Sequence, residues 1–514
     1  MTYEEFIASK QITAKPSGFE VARDEIGSML FDWQRDIVRW ALRLGKAAVF
    51  AGCGLGKTAQ QLEWGKHVCQ HTGGRVLILA PLAVSNQTKR EAEKFEIDVP
   101  VAVCKSQATV PDFGITITNY QKLQHFDPTA FDGIVIDESS CLKHESSKYR
   151  EYITASFSHT PFRLACTATP APNDHMELGN HAEFLGVMTR AEMLSMFFTH
   201  DGGDTSKWRL RGHAQDEFWR FVASWAVMLE KPSDLGYSDE GFELQPLNYH
   251  NHVVEAKAPQ PGYLFAVEAN TLAERRQAKR DSIDERVELT ARLIKERGGR
   301  WLVWCLLNDE SDALTRAITR SVKGAVEVRG SDSDSHKERS MLGFANGDIE
   351  VLVSKSSICG FGMNFQSCHQ MAFVGLSDSF EAMFQAVRRC WRFGQTEPVD
   401  AHIVTSELEG NIVRNVQRKE ADFRKMLNGM VRNMAGIAIT NLLGTQRHRA
   451  SYDERHIRLP AWVKNNGTNA IAGVAENSGF GTCETGVAGL QDVEGSLPLS
   501  SLHLWVGRSE NPAY

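Results

Sequence analysis

The chain has 514 residues, 42% of them hydrophobic and 24% charged, a balance that reads as globular and soluble. At roughly 150 residues per domain, that length predicts about three units. A net charge of −7 counts against a surface that coats a polyanion throughout, yet it is compatible with a local basic groove. The ten cysteines include no Cys-x-x-Cys pair, which points to reduced thiols, a cytoplasmic setting and no zinc site. Met1 to Lys10 has no apolar core, so no secretion signal is expected. No apolar run approaches the roughly 20 residues that a membrane helix needs, so no membrane partner is expected.

In chain order, Phe31, Ile37, Val38, Ala41 and Leu42 recur at helical spacing, with Gln34 on the same element. Ala47 to Phe50 is a short apolar strand. It runs into Ala51-Gly52-Cys53-Gly54-Leu55-Gly56-Lys57-Thr58 and then a helix from Thr58 to His67. Val76 to Ala80, Ile115 to Thr118, Ile134 to Asp137 and Phe162 to Thr167 are further short β-rich runs, with a polar helix from Ser85 to Lys94 among them. Near-continuous apolar strands alternating with helices predict a parallel sheet covered on both faces. Residues 175 to 230 read as helices. Their aromatic cluster of Phe197, Phe198, Trp208, Phe218, Trp219, Phe221 and Trp225 is expected to be core. Asp234 to Gln245 reads as a linker or crossing loop. A second alternating block follows, with a helix from Glu285 to Arg297 and strands at Trp301 to Cys305, Ala325 to Val328, Val351 to Val353 and Met371 to Val374. Apolar spacing from Leu408 to Met430 predicts a helix that packs back on the body. Beyond about residue 465 the chain is Gly-rich and reads as a flexible or loosely docked tail. The expected division is 1–174, 175–283, 284–410 and 411–514.

Strand, glycine loop, Lys-Thr and helix in that order form a triphosphate grip. Glycines let backbone N–H groups curl toward phosphate oxygens, and the helix start adds positive dipole. The expected nucleotide-binding residues are Gly54, Leu55, Gly56, Lys57, Thr58 and Ala59. Lys57 would reach the β and γ phosphates, and Thr58 would hold Mg²⁺. Asp137 and Glu138 end an apolar strand, where a second metal contact and a residue that orients or deprotonates water are needed. Gln385, Arg389 and Arg392 recur at helical spacing and are expected to share one face. Arginine there would stabilise charge on a γ-phosphoryl group across a cleft.

The ordered set, from about Phe31 to Phe423, resembles superfamily 2 helicases. Within them it is similar to the Swi/Snf-type double-stranded DNA translocases and their short phage or bacterial relatives. Gln34 looks like the adenine-reading glutamine of that family, and Ala51 to Thr58 like its phosphate loop. Leu79-Ala80-Pro81 and Ile117-Thr118-Asn119-Tyr120 resemble strand-contacting segments. Asp137-Glu138-Ser139-Ser140 stands at the DEAD/DEAH position, and Thr167-Ala168-Thr169-Pro170 matches the coupling motif. Gly330, Arg339, Phe344 and Ser354 to Asn364 match the second lobe, and Arg392-x-Gly394-Gln395 is close to the Swi/Snf ending. Ser139-Ser140 departs from the usual box, Arg388 stands where many helicases have Gly, and remodeller-type insertions are not evident.

The resemblance implies an α/β fold of two RecA-like parallel-sheet lobes in tandem, with a helical insertion and a C-terminal helical extension. It implies ATP and Mg²⁺ as cofactors and DNA, duplex or branched, as partner. Pro81, Asn119, Tyr120, Ser354, Lys355, Gly360 and Asn364 would contact nucleic acid. Lys57, Glu138, Gln385, Arg389 and Arg392 would carry ATP hydrolysis. An RNA-directed ATPase, or a nucleic-acid scaffold with little turnover, remains an alternative reading of the same residues.

Overall fold

The computed structural model describes residues 13–443, apart from 82–83, 144–147, 173, 202–203, 256–276, 278, 321, 323, 360–362 and 378. The Gly-rich tail lies outside the described residues.

The first lobe opens with helix α1 (Asp32–Leu44), which buries Ile37, Val38, Ala41 and Leu42 on one face. Gly45, at φ 73°, stops it by turning its N–H back to Ala41 O and Leu42 O. The strands that follow are β1 (Lys46–Ala51), β2 (Arg75–Ala80), β3 (Val101–Val103), β4 (Gly114–Asn119), β5 (Gly133–Asp137) and β6 (Phe162–Thr167). Helices α2 (Lys57–Thr72), α3 (Ser85–Lys94) and α4 (Lys148–Ser156) connect them. The sheet order is β3-β4-β2-β5-β6-β1, with the later strand β9 (Ala226–Leu229) beyond β1, parallel throughout. Val76 to Ala80 are fully buried, as a strand covered on both faces requires. Register sets Phe50 opposite Thr167, and Asp137 opposite Cys166. The phosphate-loop candidate, the coupling-motif candidate and the acidic pair therefore leave three adjacent strands at one level. That level is the carboxyl edge, where parallel sheets hold ligands.

The stretch expected to be helical is mixed. It contains α5 (Leu178–Leu185), α6 (Arg190–Phe197) and α7 (Gln215–Ala223). It also contains an antiparallel pair, β7 (Phe198–Asp201) and β8 (Asp204–Leu210), and a strand, β9 (Ala226–Leu229), that joins the first sheet beside β1. Its aromatic residues are core: Phe197, Phe198, Phe218, Trp219, Phe221 and Trp225 are buried, and Trp208 packs against them partly exposed. Phe197 and Phe221 stack at 5.5 Å. Residues 234–245 run as the connection from the first sheet to the second.

The second lobe begins with β10 (Leu247–Val254). It continues through α8 (Ile283–Arg297), β11 (Trp301–Cys305), α9 (Asn308–Thr319), β12 (Ala325–Val328), α10 (Asp334–Asn346), β13 (Val351–Lys355), α11 (Ser356–Cys359), β14 (Gln370–Val374), α12 (Phe380–Val387) and β15 (Val399–Ser406). Its sheet, β10-β15-β14-β11-β13-β12, is also all parallel. The chain thus folds as two parallel-sheet lobes in tandem. Strands β10 and β15 were not expected from sequence. In β10, Asn248, His250, Asn251 and His252 hide the apolar signal, and pairing with β15 along its whole length holds this edge strand in place.

Helix α13 (Gly410–Leu443) is longer than its apolar spacing indicated and touches both lobes. Phe423 meets Phe380 at 5.3 Å and Phe384 at 5.5 Å in the second lobe. At its far end Asn441 bonds the first lobe twice. Its carbonyl accepts from Arg43 Nη2 at 2.7 Å, and its amide donates to Ala223 O at 3.0 Å.

Candidate nucleotide site and interlobe cleft

Glycine makes the loop after β1 possible. Gly54 and Gly56 sit at φ 90° and 67°, a region costly for residues with a β-carbon. A β-carbon on Gly56 would run into the Gln34 side-chain amide. Lys57 Nζ donates to Ala51 O at 2.8 Å and Gly52 O at 3.2 Å, so its ammonium lies across the loop's own carbonyls. Gln34 is buried against the loop. Its Nε2 donates to Leu55 O at 3.0 Å, and its Oε1 accepts from Phe31 N at 3.0 Å. Leu55 and Ala59 pack their side chains into the core, so they could meet a ligand only through their backbone. Thr58 is half-buried at the helix start.

Asp137 ends β5 with its carboxylate facing α2. Gln61 Nε2 donates to Asp137 Oδ1 at 2.8 Å. Burial, then the adjacent Glu138 charge, pushes the Asp137 carboxyl up to about 6, while Gln61 and Lys57 pull the other way. Glu138 adopts φ 55°, one of two positive values among the described non-glycine residues, and its buried Oε2 has no partner. The Tyr120 hydroxyl donates to the Asp137 carbonyl. Ser139 Oγ lies 3.1 Å from Nε2 of the fully buried His181, so the departure in the box is matched by a histidine on α5. Thr169 N donates to Thr167 Oγ1 at 3.1 Å, and the Thr169 hydroxyl is buried without a partner.

The segment from Gln385 to Gln395 is not one helical face. Helix α12 ends at Val387 and the chain continues as turns. The cause is local, because Arg389 Nε takes the Gln385 carbonyl at 2.9 Å and thereby caps the helix end. The rest of that guanidinium is held in its own lobe. Nη1 donates to Met363 O at 3.2 Å, and Nη2 to Gln385 Oε1 at 3.0 Å. Gln385 keeps a buried Nε2 without a partner. Arg392, turned out by the break, comes to the first lobe. A β-carbon at Gly54 would lie 3.0 Å from Phe393 Cδ2 and 3.6 Å from Arg392 Cβ. Arg392 Nε is buried without a partner, and burial, then nearby Arg389, lowers its pKa to about 10. Arg388, which stands where many helicases have Gly, lies over Trp391 at 4.2 Å and Phe384 at 5.2 Å.

Residues 28–200 match the SNF2-related domain family, and residues 285–394 match the helicase conserved C-terminal domain family. The chain is a superfamily 2 helicase of the Swi/Snf type. The bifunctional helicase and thymine dioxygenase JBP2 of Leishmania braziliensis is 28% identical to it over 133 residues, a stretch covering 26% of this chain and 12% of that protein. The two matched domains imply a family of nucleotide-hydrolysing enzymes.

Between the lobes of this helicase lies a cleft of about 1030 Å³. Of the residues expected at nucleic acid, Pro81, Asn119 and Tyr120 line it. Ser354 does not, since it is fully buried and its hydroxyl donates to Val328 O at 2.8 Å. Asn364 lies outside the lining and turns its side chain onto the next turn of its chain, with Oδ1 accepting from Gln366 N at 3.1 Å. Lys355 ends β13 outside the lining, and Gly360 lies outside the described residues. The second lobe instead contributes Lys337, Glu338, Ser357 and Ile358. Asn86 Nδ2 crosses the cleft to Glu338 Oε2 at 3.1 Å.

Sequence reasoning also missed Gln61, one helical turn beyond Lys57, where spacing could have flagged it. It missed the structural use of Gln395, whose amide donates to Gln366 O and Cys368 O at 2.9 and 3.0 Å. Among the described residues, His250, Asp400 and His402 cluster with side-chain ligand atoms within 4.8 Å of one another. The Asp400 oxygens there accept from Asn248, His250 and Gln370 at 3.0 to 3.1 Å. No described helix is long and apolar enough to cross a membrane.

Proposed function

We propose that this helicase couples hydrolysis of Mg–ATP to movement on DNA, duplex or branched. The reading rests on the approach of Arg392 to Gly54, which puts the second lobe's arginine segment against the loop of the first. The donor set suits a magnesium-bound triphosphate: loop N–H groups, the Lys57 ammonium, the Thr58 hydroxyl and the Asp137 carboxylate, beside a buried Glu138 oxygen with no partner. Thr58 and Asp137 would hold the Mg²⁺, which supplies charge neutralisation on the phosphates.

Lys57 leaves the loop carbonyls for phosphate oxygens as ATP enters. Glu138 orients the attacking water and takes its proton. Arg392 meets the charge that shifts on the γ-phosphoryl group, and its burial makes that contact stronger than it would be in open water. Gln34 faces the adenine side of the loop. Because the groups come from two lobes, turnover requires the lobes to close on ATP and lets them part on release. Nucleic acid gripped by both cleft walls is carried along by that cycle.

The test is phosphate release with no nucleic acid and with duplex, forked and four-way DNA, single strands and RNA. DNA-stimulated turnover that Lys57→Ala abolishes is the expected result. Stimulation by RNA alone, or equal turnover with and without every nucleic acid, refutes the reading.

A further inference from the structure

Glu138 is held in a left-handed conformation that residues with a β-carbon adopt at a cost, and such a residue stays there only when its surroundings fix it. Two hydrogen bonds bracket it. Behind, Cys141 N donates to the Glu138 carbonyl at 3.2 Å. In front, the Tyr120 hydroxyl donates to the Asp137 carbonyl, the oxygen of the peptide that leads into Glu138. The phenol is wedged in place, with its ring meeting Tyr149 edge-on at 6.1 Å.

Tyr120 is also part of the cleft wall, next to Asn119. It begins the short 3₁₀ turn Tyr120–His125, and Asn119 Oδ1 fixes the start of that turn by accepting from Lys122 N at 3.1 Å. One residue thus lines the cleft where nucleic acid is proposed to lie and sets its hydroxyl on the peptide that aims the acid. Glu138 lines the same cleft and has an oxygen still seeking a partner.

We infer that Tyr120 is a positioning residue that couples occupancy of the cleft by nucleic acid to the setting of the Glu138 carboxylate. The inference rests on the proposed function and adds its regulation. Nucleic acid that seats on the Asn119–Tyr120 wall firms the 3₁₀ turn, the turn fixes the phenol, and the phenol fixes the peptide before Glu138. The hydroxyl makes the link, so the ring alone does not suffice.

The experiment compares full-length wild type with Tyr120→Phe by steady-state phosphate release, titrating ATP at saturating duplex DNA and measuring duplex affinity separately. Loss of one buried hydrogen bond that sets the acid is expected to lower kcat at saturating duplex by about tenfold. The KM for ATP and the duplex Kd stay within about twofold, and the fold of stimulation by duplex shrinks. Wild-type kcat and stimulation in the variant overturn the coupling. So does a variant with weakened duplex affinity and wild-type kcat at saturation, which makes Tyr120 a direct nucleic-acid contact. If Tyr120→Phe does not fold, Asn119→Ala is read the same way: a loss of stimulated kcat of at least about threefold supports the coupling, and an unchanged kcat overturns it. A wild-type protein that no nucleic acid stimulates overturns the proposed function itself, and the coupling with it.

Discussion

Gln61 Nε2 sits 2.8 Å from Asp137 Oδ1, so the second turn of the helix that follows the phosphate loop holds the carboxylate at the end of β5. Burial and the Glu138 charge disfavour ionised Asp137, and the amide donor favours it. Removing the donor in Gln61→Leu therefore raises an already raised pKa further. The expected outcome is an acid limb of the pH–kcat profile that moves to higher pH, with a higher Mg²⁺ concentration needed for half-maximal turnover near pH 6. A superimposable profile would show that the amide does not tune this carboxylate.

Two arginines three residues apart have different surroundings, and their variants should separate. Arg392→Ala is expected to keep ATP binding and lose turnover by about 10³-fold, as for an arginine that stabilises transferring phosphoryl charge. Arg389→Ala is expected to lower stability as well, by about 2–3 kcal/mol, because its three donors hold the end of α12 and the Met363 carbonyl. A nucleotide-binding assay and a urea melt on both variants check this. Full turnover in Arg392→Ala refutes the cleft reading.

His181 and His402 are fully buried, and burial lowers each pKa to about 4 from 6.5. In the unfolded chain both take a proton near 6.5, whereas in the folded chain they resist it until about 4. Their contribution is complete above pH 6.5 and is lost as the pH falls toward 4. Asp137, with its raised pKa, opposes this trend over part of the same range. Urea denaturation at pH 7, 5.5 and 4.5 is expected to give falling stability, with a shallower fall in His402→Asn. Equal slopes for wild type and variant would contradict the assignment.

Arg286 and Glu310 form an ion pair at 2.6 Å with both side chains fully buried. Glu310 Oε2 also accepts from Leu306 N and Leu307 N, which ties α9 to the end of β11. Glu310→Gln removes the nearer of two buried counterions, leaving the guanidinium only Glu409 at 4.0 Å, and is expected to destabilise the chain by about 2–4 kcal/mol. Gly375→Ala should also destabilise it, since its β-carbon would sit 2.7 Å from Arg286 Nη1 at a backbone φ of 80°. Chemical denaturation measures both, and a near-neutral Glu310→Gln would refute the expectation.

The legible parts of this chain are those whose chemistry is written into a few consecutive residues. Buried parallel strands such as Val76 to Ala80 declare themselves by unbroken apolarity, and the loop from Ala51 to Thr58 by its glycines. Strand β10 escaped notice because its side chains are polar and its stability comes from β15, about 150 positions away. The helical face drawn through Gln385, Arg389 and Arg392 failed for a similar reason. Spacing assumes that the helix continues, but the Arg389 side chain caps the Gln385 carbonyl and ends it.

Sequence alone determined that this protein has two α/β lobes, which of them carries the glycine loop, and which short segments hold chemically active side chains. These features depend on local backbone preference and on burial pattern, both of which are read within a few residues. Tertiary structure decided the pairings: Gln61 on Asp137, Tyr120 on the peptide before Glu138, Arg392 rather than Arg389 at the loop, and Ser354 buried rather than at the cleft. Those outcomes depend on which distant surfaces pack together, and a side chain's partner is set by that packing rather than by its neighbours in the chain.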